Sequence, residues 1–523
     1  MILAIFFLII IYLLEIFGGI KIAKCPHFDI IIIGAGISGL SAGIHLKNKN
    51  RKIRTLIVDQ GNKPGGSLIH PFNDNQYFGF LTQGIPFKNK KYSLSTSLEK
   101  LAIEFPLVKV DPIEVIKLQD KEISLYTNLE IAQKELVAHF PEEEKNIELF
   151  FYTCYQMMEE ARKTQISALW SLKTCIKCST IRKYAFLNFS QFIEQFISTE
   201  ELRKILSIYP SWLGILPEQL KAFEGAMLVA QAHKHGYFYP KSGIQQFLEE
   251  FQDNYLSKNG KLKLNTKVHK IAVDKKTVQG VELADGRLIT GKIIISTIGL
   301  KTTILKLINE KALRSRYPRK VKQLKSSSSG VLVFLQVAMD LSKYPAHLSI
   351  GTQEPAIRKA LKNEFSPTEV LIRIPSNILS SNEAPKNSTV LLFTHVPYNL
   401  FQNELKKLTS NNKEQKLSHL KERLVPQLIS LAEQIIPSLS EKIVGKKLLI
   451  PENFAENNGS IAGSIYGLIS GQQLPDFKAP IKHLYYTKAK MDQSSLLDAM
   501  NAGMEVAEYI IQEYVHKRGK SFC

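Results

Sequence analysis

The chain contains 523 residues, of which 44% are hydrophobic, and it carries a formal net charge of +20. This length and apolar content predict two or three domains with substantial cores and exclude an intrinsically disordered chain. The basic residues are spread along the chain without a recognisable nucleic-acid-binding motif, so we predict no nucleic-acid partner and favour an anionic membrane surface. Cys175 and Cys178 form a lone CxxC, and a structural zinc site would need a second pair, so we predict no metal.

The N-terminal segment is strongly apolar. Ile2–Leu14 is wholly apolar, and after one acidic residue the run continues to Ile20, which approaches the roughly 20 residues that span a bilayer. Residues 1–25 are therefore predicted to be a membrane anchor, with a cleaved signal-like segment as the alternative. Lys21 and Lys24 follow the run and no basic residue precedes it. The positive-inside tendency then predicts a membrane-associated protein whose main body faces the cytoplasm.

The next segment, Asp29–Leu46, reads DIIIIGAGISGLSAGIHL. Its four consecutive isoleucines are typical of a buried parallel strand, and the helix-like stretch after them begins with a GxGxxG motif. In a dinucleotide-binding turn the first glycine permits the tight turn, the second allows close approach of a pyrophosphate, and the third allows helix and strand to pack closely. The predicted binding residues in this turn are Gly34, Ala35, Gly36, Ser38 and Gly39.

The following strand indicates which dinucleotide binds. Thr55–Val58 ends in Asp59, where a carboxylate can accept hydrogen bonds from the adenosine ribose. Gly65 and Gly66 then follow. An acid separated by five residues from paired glycines resembles the FAD-binding start of the glutathione-reductase-like flavoproteins. The resemblance implies FAD as the cofactor.

Two central segments support this prediction. Leu262–Ile271 and Thr277–Leu283 both alternate apolar and polar residues on either side of a turn, so they are predicted to be paired strands. Lys292–Thr297 is predicted to return the chain to the dinucleotide sheet. In the resembling flavoproteins a valine at the position of Val268 lies against the adenine.

Three further segments make the resemblance more specific: His235–Phe251 (HGYFYPKSGIQQFLEEF), Ser326–Val337 (SSSSGVLVFLQV) and Gly463–Gly467 (GSIYG). Together they resemble the phytoene-desaturase-like flavoproteins, and within that group the carotenoid isomerase and retinol saturase branch. The resemblance implies desaturation, saturation or cis/trans isomerisation of carbon–carbon double bonds in a long apolar isoprenoid, carotenoid or retinoid. The candidate electron acceptors are a quinone, oxygen and NAD(P), and the resemblance does not distinguish among them.

The last motif departs from that family. The family follows a strand like His483–Thr487 with glycines, whereas this chain continues with Lys488 and Asp492 and reaches a glycine only at Gly503. Lys488 can hold phosphate or reduced flavin, and Asp492 can cap the next helix, so both are predicted to contribute to cofactor binding. Alternatively, the site has drifted and catalysis is altered or lost.

These observations predict an α/β fold with an FAD-binding Rossmann-like domain of the glutathione-reductase type and an inserted α+β substrate domain. The flavin domain is predicted at residues 26–105, 236–305 and 445–523, and the substrate or cap domain at residues 106–235 and 306–444. Ile147–Leu172 and Phe189–Leu206 have the apolar spacing of cap helices. A basic cluster just before the serine run is predicted to be a surface loop that meets anionic headgroups, although a solvated linker is the alternative. It comprises Arg314, Arg316, Arg319, Lys320, Lys322 and Lys325.

The resemblance places Tyr239 and Lys241 near the flavin, with Tyr466 on the opposite wall, and these three are the predicted catalytic residues. The neighbouring Tyr237 is a further pocket candidate, and His233 and His235 are candidate proton donors. Two alternatives remain. One is a flavin amine oxidase of the same superfamily, and the other is a lipid-binding scaffold like the Rab GDP-dissociation inhibitors, which hold prenylated partners without redox chemistry.

Overall fold

The computed structural model describes residues 28–66, 85–86, 94–118, 120–164, 178–212, 214–351, 369–378, 388–407, 412–457, 463–469, 472, 477–487 and 496–515. The predicted N-terminal anchor, Cys175, Lys488 and Asp492 lie outside these ranges. Among the helices in these ranges, none is long and apolar enough to cross a membrane.

The strands, in chain order, are β1 Phe28–Ile33, β2 Thr55–Val58, β3 Ile85–Pro86, β4 Leu107–Val110, β5 Glu114–Leu118, β6 Lys121–Leu125, β7 Tyr237–Pro240, β8 Lys261–Lys263, β9 Val268–Asp274, β10 Thr277–Leu283, β11 Leu288–Ser296, β12 Ser329–Val337, β13 His347–Gly351, β14 Glu369–Arg373, β15 Ser388–Val396, β16 Ile443–Leu449 and β17 Leu484–Tyr486.

The α-helices, in chain order, are α1 Ile37–Lys49, α2 Leu94–Leu101, α3 Leu129–His139, α4 Glu144–Thr164, α5 Ser179–Lys183, α6 Phe189–Glu194, α7 Glu200–Leu206, α8 Ile208–Ser211, α9 Ala222–His235, α10 Gly243–Ser257, α11 Leu300–Lys306, α12 Arg316–Gln323, α13 Tyr398–Lys407, α14 Lys413–Ala432, α15 Pro451–Asn457 and α16 Leu496–Val515.

The first sheet has a parallel centre in the order β8-β2-β1-β11-β17. The isoleucines of β1 form its middle, with Ile32 opposite Ile57 on one side and Ile295 on the other. All three side chains are fully buried, as expected for a parallel strand that is covered on both faces. Helices α1, α10 and α16 contribute to the apolar cluster on one face. The predicted Rossmann-like arrangement is therefore present.

The predicted paired strands around the central turn differ from the structure in one respect. Strands β9 and β10 pair in antiparallel fashion as predicted. However, the predicted strand Leu262–Ile271 is divided, because Lys261–Lys263 pairs with β2 in the parallel sheet. The chain turns between the two parts at Asn265, which has a φ of +49°, and at Thr266, whose N–H donates to the carbonyl of Asp59.

The second sheet has the order β16-β12-β15-β14-β13-β5-β6. One of its faces is apolar against helices α13 and α14. The opposite face, which we call the inner face, carries a separate cluster that includes Leu332, Phe334 and Phe393 and contacts Tyr466. The last flavin-domain segment is predicted to begin at residue 445. In the structure that residue lies within β16, which pairs with β12, so the second sheet includes residues up to Leu449.

Helices α3 to α9 form a cap around an aromatic-rich apolar cluster. The predicted helix Phe189–Leu206 is broken into α6 and α7. The cause is a buried carboxylate, Glu143, which accepts hydrogen bonds from the backbone N–H groups of Ser198 and Thr199 between the two helices. Those N–H groups are therefore unavailable for a continuous helix.

Candidate functional site

The glycines of the dinucleotide turn meet different surroundings. Gly34 has a φ of +107°, and a Cβ added there would lie 2.5 Å from Oγ1 of Thr297. A Cβ on Gly39 would lie only 1.9 Å from the carbonyl oxygen of Gly34, so any side chain would separate α1 from β1. Gly34 and Gly39 thus permit the turn and the close helix packing that were predicted for them.

Gly36 faces open space. A Cβ added to Gly36 would have only the Cα of Gly66 within contact distance, at 3.9 Å. The paired glycines predicted to support FAD binding reach the same place, since the N–H of Gly65 donates to the carbonyl of Ala35 over 2.9 Å. Two segments thirty residues apart in the sequence therefore form one backbone cradle at the N-terminus of α1. Free N–H groups and the helix dipole favour a phosphate there.

Asp59 lies at the end of β2 beside this cradle. Its Oδ2 accepts a hydrogen bond from the N–H of Ala35 over 2.6 Å, and its Oδ1 accepts one from Gly61 over 2.7 Å. The carboxylate is thus held at the carboxyl edge of the sheet, next to the phosphate cradle, as ribose binding requires. Val268 is buried in the same apolar cluster as Val58. It follows Thr266 by two residues, and the N–H of Thr266 donates to the carbonyl of Asp59.

The hydroxyl of Ser38, a residue predicted to contribute to cofactor binding, is engaged within the protein. Its hydroxyl donates a hydrogen bond to the carbonyl of Ala499 in α16 over 2.7 Å. A Cβ on Gly503 would lie 2.1 Å from the carbonyl oxygen of Ser38, so the two helices approach through backbone. The Ser38 hydroxyl therefore joins α1 to α16.

The three predicted catalytic residues have different surroundings. Tyr239 is buried in β7, opposite Val108 of β4. Lys241 follows β7, and its side chain is exposed. Tyr466 packs against the cap cluster that contains Tyr237 and Tyr239, and also against the inner face of the second sheet. The two predicted tyrosines thus share one apolar region, whereas Lys241 lies at the surface.

His233 is a structural residue. Its Nδ1 donates to the carbonyl of Tyr126 over 2.8 Å, and its Nε2 accepts from the Tyr209 hydroxyl over 2.5 Å. Burial lowers the pKa of His233 to about 4, so the ring is neutral near neutral pH. With both nitrogens engaged, it is not available as the proton donor that the sequence suggested. Partial burial also lowers the pKa of His235.

The segment Gly463–Ile469 docks on the serines at the start of β12. The Ser329 hydroxyl donates to the carbonyl of Gly463 over 2.7 Å, and the N–H of Ser327 donates to the carbonyl of Gly467 over 2.8 Å. Two motifs that were matched separately in the sequence thus form one structural unit, and this unit directs Tyr466 toward the inner face. Burial raises the pKa of the Tyr466 phenol, and the nearby Arg373 guanidinium opposes that rise, so the phenol retains its proton.

The inner face also carries polar residues that the sequence analysis missed. Nδ1 of His395 lies 3.1 Å from Oε1 of Glu369 on the adjacent strand. On the same sheet, the Arg373 guanidinium forms a buried bidentate pair with Glu114, at 3.0 Å for each bond. In each pair the partners are far apart in the sequence. The only local signal is the presence of polar residues in an otherwise apolar strand, such as Thr394 and His395 in VLLFTHV.

The comparisons with known proteins identify the class. Residues 29–332 match the model of the family described as DAO, FAD-dependent oxidoreductase. This match covers more than half of the chain, so the chain belongs to the FAD-dependent oxidoreductases. The cradle of Gly36 and Gly66, the carboxylate of Asp59 and the N-terminus of α1 fit FAD, which is the cofactor of this enzyme.

Individual relatives are similar at low identity. A 4,4'-diapophytoene desaturase from Methylomonas is 24% identical over 58% of this chain and 60% of its own length. A prolycopene isomerase from an Oncidium hybrid is 22% identical over 62% and 56%, respectively. An all-trans-retinol 13,14-reductase from Danio rerio is 21% identical over 95% and 88%. The chain thus aligns with less than two thirds of the first two relatives and with most of the third.

Solved structures confirm the fold. An oxidoreductase from Methanosarcina mazei superposes with a TM-score of 0.63 at 14% identity, covering 92% of this chain and all of that one. A cofactor-site variant of putrescine oxidase gives 0.61 at 13% identity, covering 93% and 99%. A Rab GDI from Plasmodium falciparum gives 0.50 at 12% identity, covering 93% and 98%. At these identities the likeness is one of fold alone.

Proposed function

We propose that this enzyme acts on carbon–carbon double bonds of a long apolar isoprenoid, by desaturation, saturation or cis/trans isomerisation. The names of the three relatives support this substrate class, since they refer to diapophytoene, prolycopene and retinol. The family assignment supplies the cofactor, and the structure contains an apolar region around Tyr466.

The observation that carries the proposal is the apolar character of the region around Tyr466. On one side lies the inner face of the second sheet, with Leu332, Phe334 and Phe393. On the other lies the cap cluster, with aromatic side chains that include Trp212 and Tyr237. A long hydrocarbon chain gains free energy by leaving water for such a region, at about 0.8 kcal/mol per buried CH₂.

The chain's own residues have two roles, which are to bind the cofactor and to align the substrate. Gly36, Gly66 and Asp59 hold the pyrophosphate and ribose at the edge of the first sheet. FAD supplies hydride transfer to or from the substrate when it is bound. The cap and the inner face exclude water and align the double bond, and aromatic side chains such as Tyr239 can orient a polyene.

The amine oxidase alternative receives less support. Putrescine oxidase is similar to the chain in fold, at 13% identity. A small amine would require a compact aromatic cage, whereas the apolar clusters that meet at Tyr466 extend across the cap and the second sheet. The scaffold alternative is opposed by the intact cradle at Gly36 and by the family match.

We also propose that the protein associates with an anionic membrane surface through α12. Six basic residues in and around this helix are exposed, and none forms an ion pair with a described residue. Each such residue near an anionic surface adds about 1 kcal/mol of attraction. An apolar substrate taken from the bilayer would then reach the enzyme without crossing water.

The test uses the full-length protein, purified in detergent with its FAD. We would incubate it anaerobically, in oxidised and in dithionite-reduced form, with all-trans-retinol, prolycopene and 4,4'-diapophytoene, and follow the products by chromatography and mass spectrometry. A gain or loss of two hydrogens, or a changed isomer of unchanged mass, is expected for at least one polyene. Oxidation of putrescine or cyclohexylamine with no change in any polyene would instead support the amine oxidase.

A further inference from the structure

The second sheet ends in a strand that has a neighbour on one side only. Among the described residues, β16 pairs with β12, and no strand pairs with its other edge. The register of that pair shifts at Val444, which occupies a β-bulge and is 59% exposed. The free edge of a strand is a template on which another extended segment can form backbone hydrogen bonds.

A groove lies between this free edge and helix α14. Its volume is about 750 Å³, and binding clefts typically measure about 300–1,000 Å³. Val425 and Ile429 of α14 line one wall and Ile443 of β16 lines the other, and all three contact the same apolar cluster. The described lining includes no residue of β12, so the groove is on the free-edge side of β16. Apolar side chains on an added strand would extend this cluster.

The free edge is positively charged. The lysines exposed along it are Lys442, Lys446 and Lys447, and Lys446 lines the groove. Glu441 is the exposed acidic residue beside them. The carboxylate of Glu433, which also lines the groove, already accepts hydrogen bonds from the N–H and the hydroxyl of Ser440. An acidic segment is therefore the complementary partner.

The same lysines oppose pairing between two copies of this chain. In any antiparallel pairing of β16 with itself about a twofold axis within the strand, Lys446 lies opposite or diagonal to a lysine of the other copy. Like charges at such positions are unfavourable, and lysine on an edge strand is a common safeguard against self-association. A strand of opposite charge removes this obstacle.

We propose that the groove between α14 and β16 binds an extended acidic segment of a partner protein, which adds a strand to the free edge of β16. Backbone hydrogen bonds supply affinity, and alternate side chains supply specificity. Apolar side chains of the segment lie against Val425 and Ile429, and acidic ones lie beside the lysines. This interaction surface is additional to the proposed function and does not depend on it.

The test uses the full-length holoenzyme in detergent and a fluorescein-labelled peptide of eight alternating valine and glutamate residues, with binding followed by fluorescence anisotropy. Two further peptides carry N-methyl groups, one on its valine amides and the other on its glutamate amides. In a strand the N–H groups of alternate residues point to the same edge, and for a given strand direction that edge fixes the face of the valines. We expect one methylated peptide to bind like the parent and the other at least about tenfold more weakly.

Variants connect the binding to the groove. Lys442→Glu combined with Lys446→Glu should weaken the parent peptide about tenfold, and Val444→Ser should weaken it severalfold. The matched control combines Lys275→Glu with Lys406→Glu, which reverses two lysines that are exposed elsewhere. The control should bind the peptide like the wild type. FAD content reports whether each variant is folded.

Four outcomes would overturn the proposal. They are no binding of the parent peptide to the wild type, equal binding of the two methylated peptides, equal losses in the two double variants, and a wild-type dimer in analytical ultracentrifugation that Val444→Ser dissociates. The third outcome would indicate a general charge effect, and the fourth would place a second copy in the groove. Because none of these measurements involves turnover, the proposed isoprenoid function is tested separately.

Discussion

In the dinucleotide turn, one glycine leaves room for the cofactor and another allows the helix to pack closely. The space at Gly36 is open apart from Gly66, whereas the space at Gly39 is filled by backbone. A side chain at Gly36 therefore enters the volume that the pyrophosphate would occupy, and one at Gly39 collides with the protein itself. The same substitution should have different consequences at positions three residues apart.

We predict that Gly36→Val folds but does not retain FAD, and that Gly39→Val fails to fold. FAD per chain, measured by visible absorbance after heat release, and far-ultraviolet circular dichroism distinguish the two. Gly286→Ala, in the open hairpin turn at a φ of +83°, is the control for a glycine substitution and should keep its FAD. Stoichiometric FAD in Gly36→Val would exclude the assigned cradle.

Glu143 shows how one residue breaks a helix. Burial disfavours ionisation of its carboxyl group, but hydrogen bonds from Ser198, Asn146 and Thr199 outweigh burial and lower its pKa to about 2, from an ordinary value of 4.5. Since the pKa is depressed in the folded state, the stabilisation is complete above pH 4.5. It is lost as the pH falls from about 4.5 to about 2.

Glu143→Gln is therefore expected to lower the free energy of unfolding by about 2–3 kcal/mol at pH 7. The difference from the wild type should narrow as the pH falls toward 2, because the wild-type carboxyl group then becomes protonated. Denaturant unfolding at several pH values measures this difference in the free energy of unfolding. Glu144→Gln, at an exposed neighbouring position, is the control. A difference that does not change with pH would contradict the assigned ionisation.

At the scale of elements, the contact between α1 and α16 links the last helix to the dinucleotide turn. Gly503 lies against the backbone of Ser38, and the Ser38 hydroxyl bonds to Ala499. Gly503→Val would force the helices apart, so we expect a loss of several kcal/mol in stability and of FAD binding together. Thermal unfolding and FAD content test this. Gln512→Val, at an exposed position on the same helix, should change neither.

The basic helix α12 allows a second test at this scale. Replacing Arg316, Arg319 and Lys320 with serine should weaken binding to anionic vesicles by roughly 3 kcal/mol, or about 100-fold. Vesicle co-sedimentation with and without phosphatidylserine measures it, at two salt concentrations because screening weakens the attraction. The matched control replaces Lys406, Lys421 and Lys446, which are exposed elsewhere. An equal loss in both triple variants would indicate a general charge effect.

For the molecule as a whole, FAD should bind only when three distant stretches of chain have assembled. The first sheet combines β1 and β2, β8 to β11, and β17. A ligand that binds only the folded state adds about 2.7 kcal/mol at a concentration 100 times its Kd. FAD added to the apoprotein is thus predicted to raise its unfolding midpoint. The midpoint of Gly36→Val should not respond, and a matching rise in that variant would contradict the prediction.

Local sequence patterns predicted the features that depend on neighbouring residues. The isoleucines of β1, the glycines of the turn, Asp59 and the paired Gly65 and Gly66 each have a spacing dictated by backbone geometry, so the fold class and the cofactor followed from them. The family match and the solved structures confirm both. The substrate, the domain boundaries and the catalytic residues remain predictions.

Tertiary structure decided the features that depend on residues distant in the chain. Residues 261–263 joined the parallel sheet because β2 offered an unpaired edge, and the helix predicted from Phe189 was broken by the carboxylate of Glu143. Likewise, Glu369 and His395 are 26 residues apart and meet through the register of β14 and β15. Periodicity and spacing reflect the preferences of the local backbone, whereas strand order and register depend on packing across the whole chain. The contact between Glu369 and His395 is therefore visible only in the folded protein.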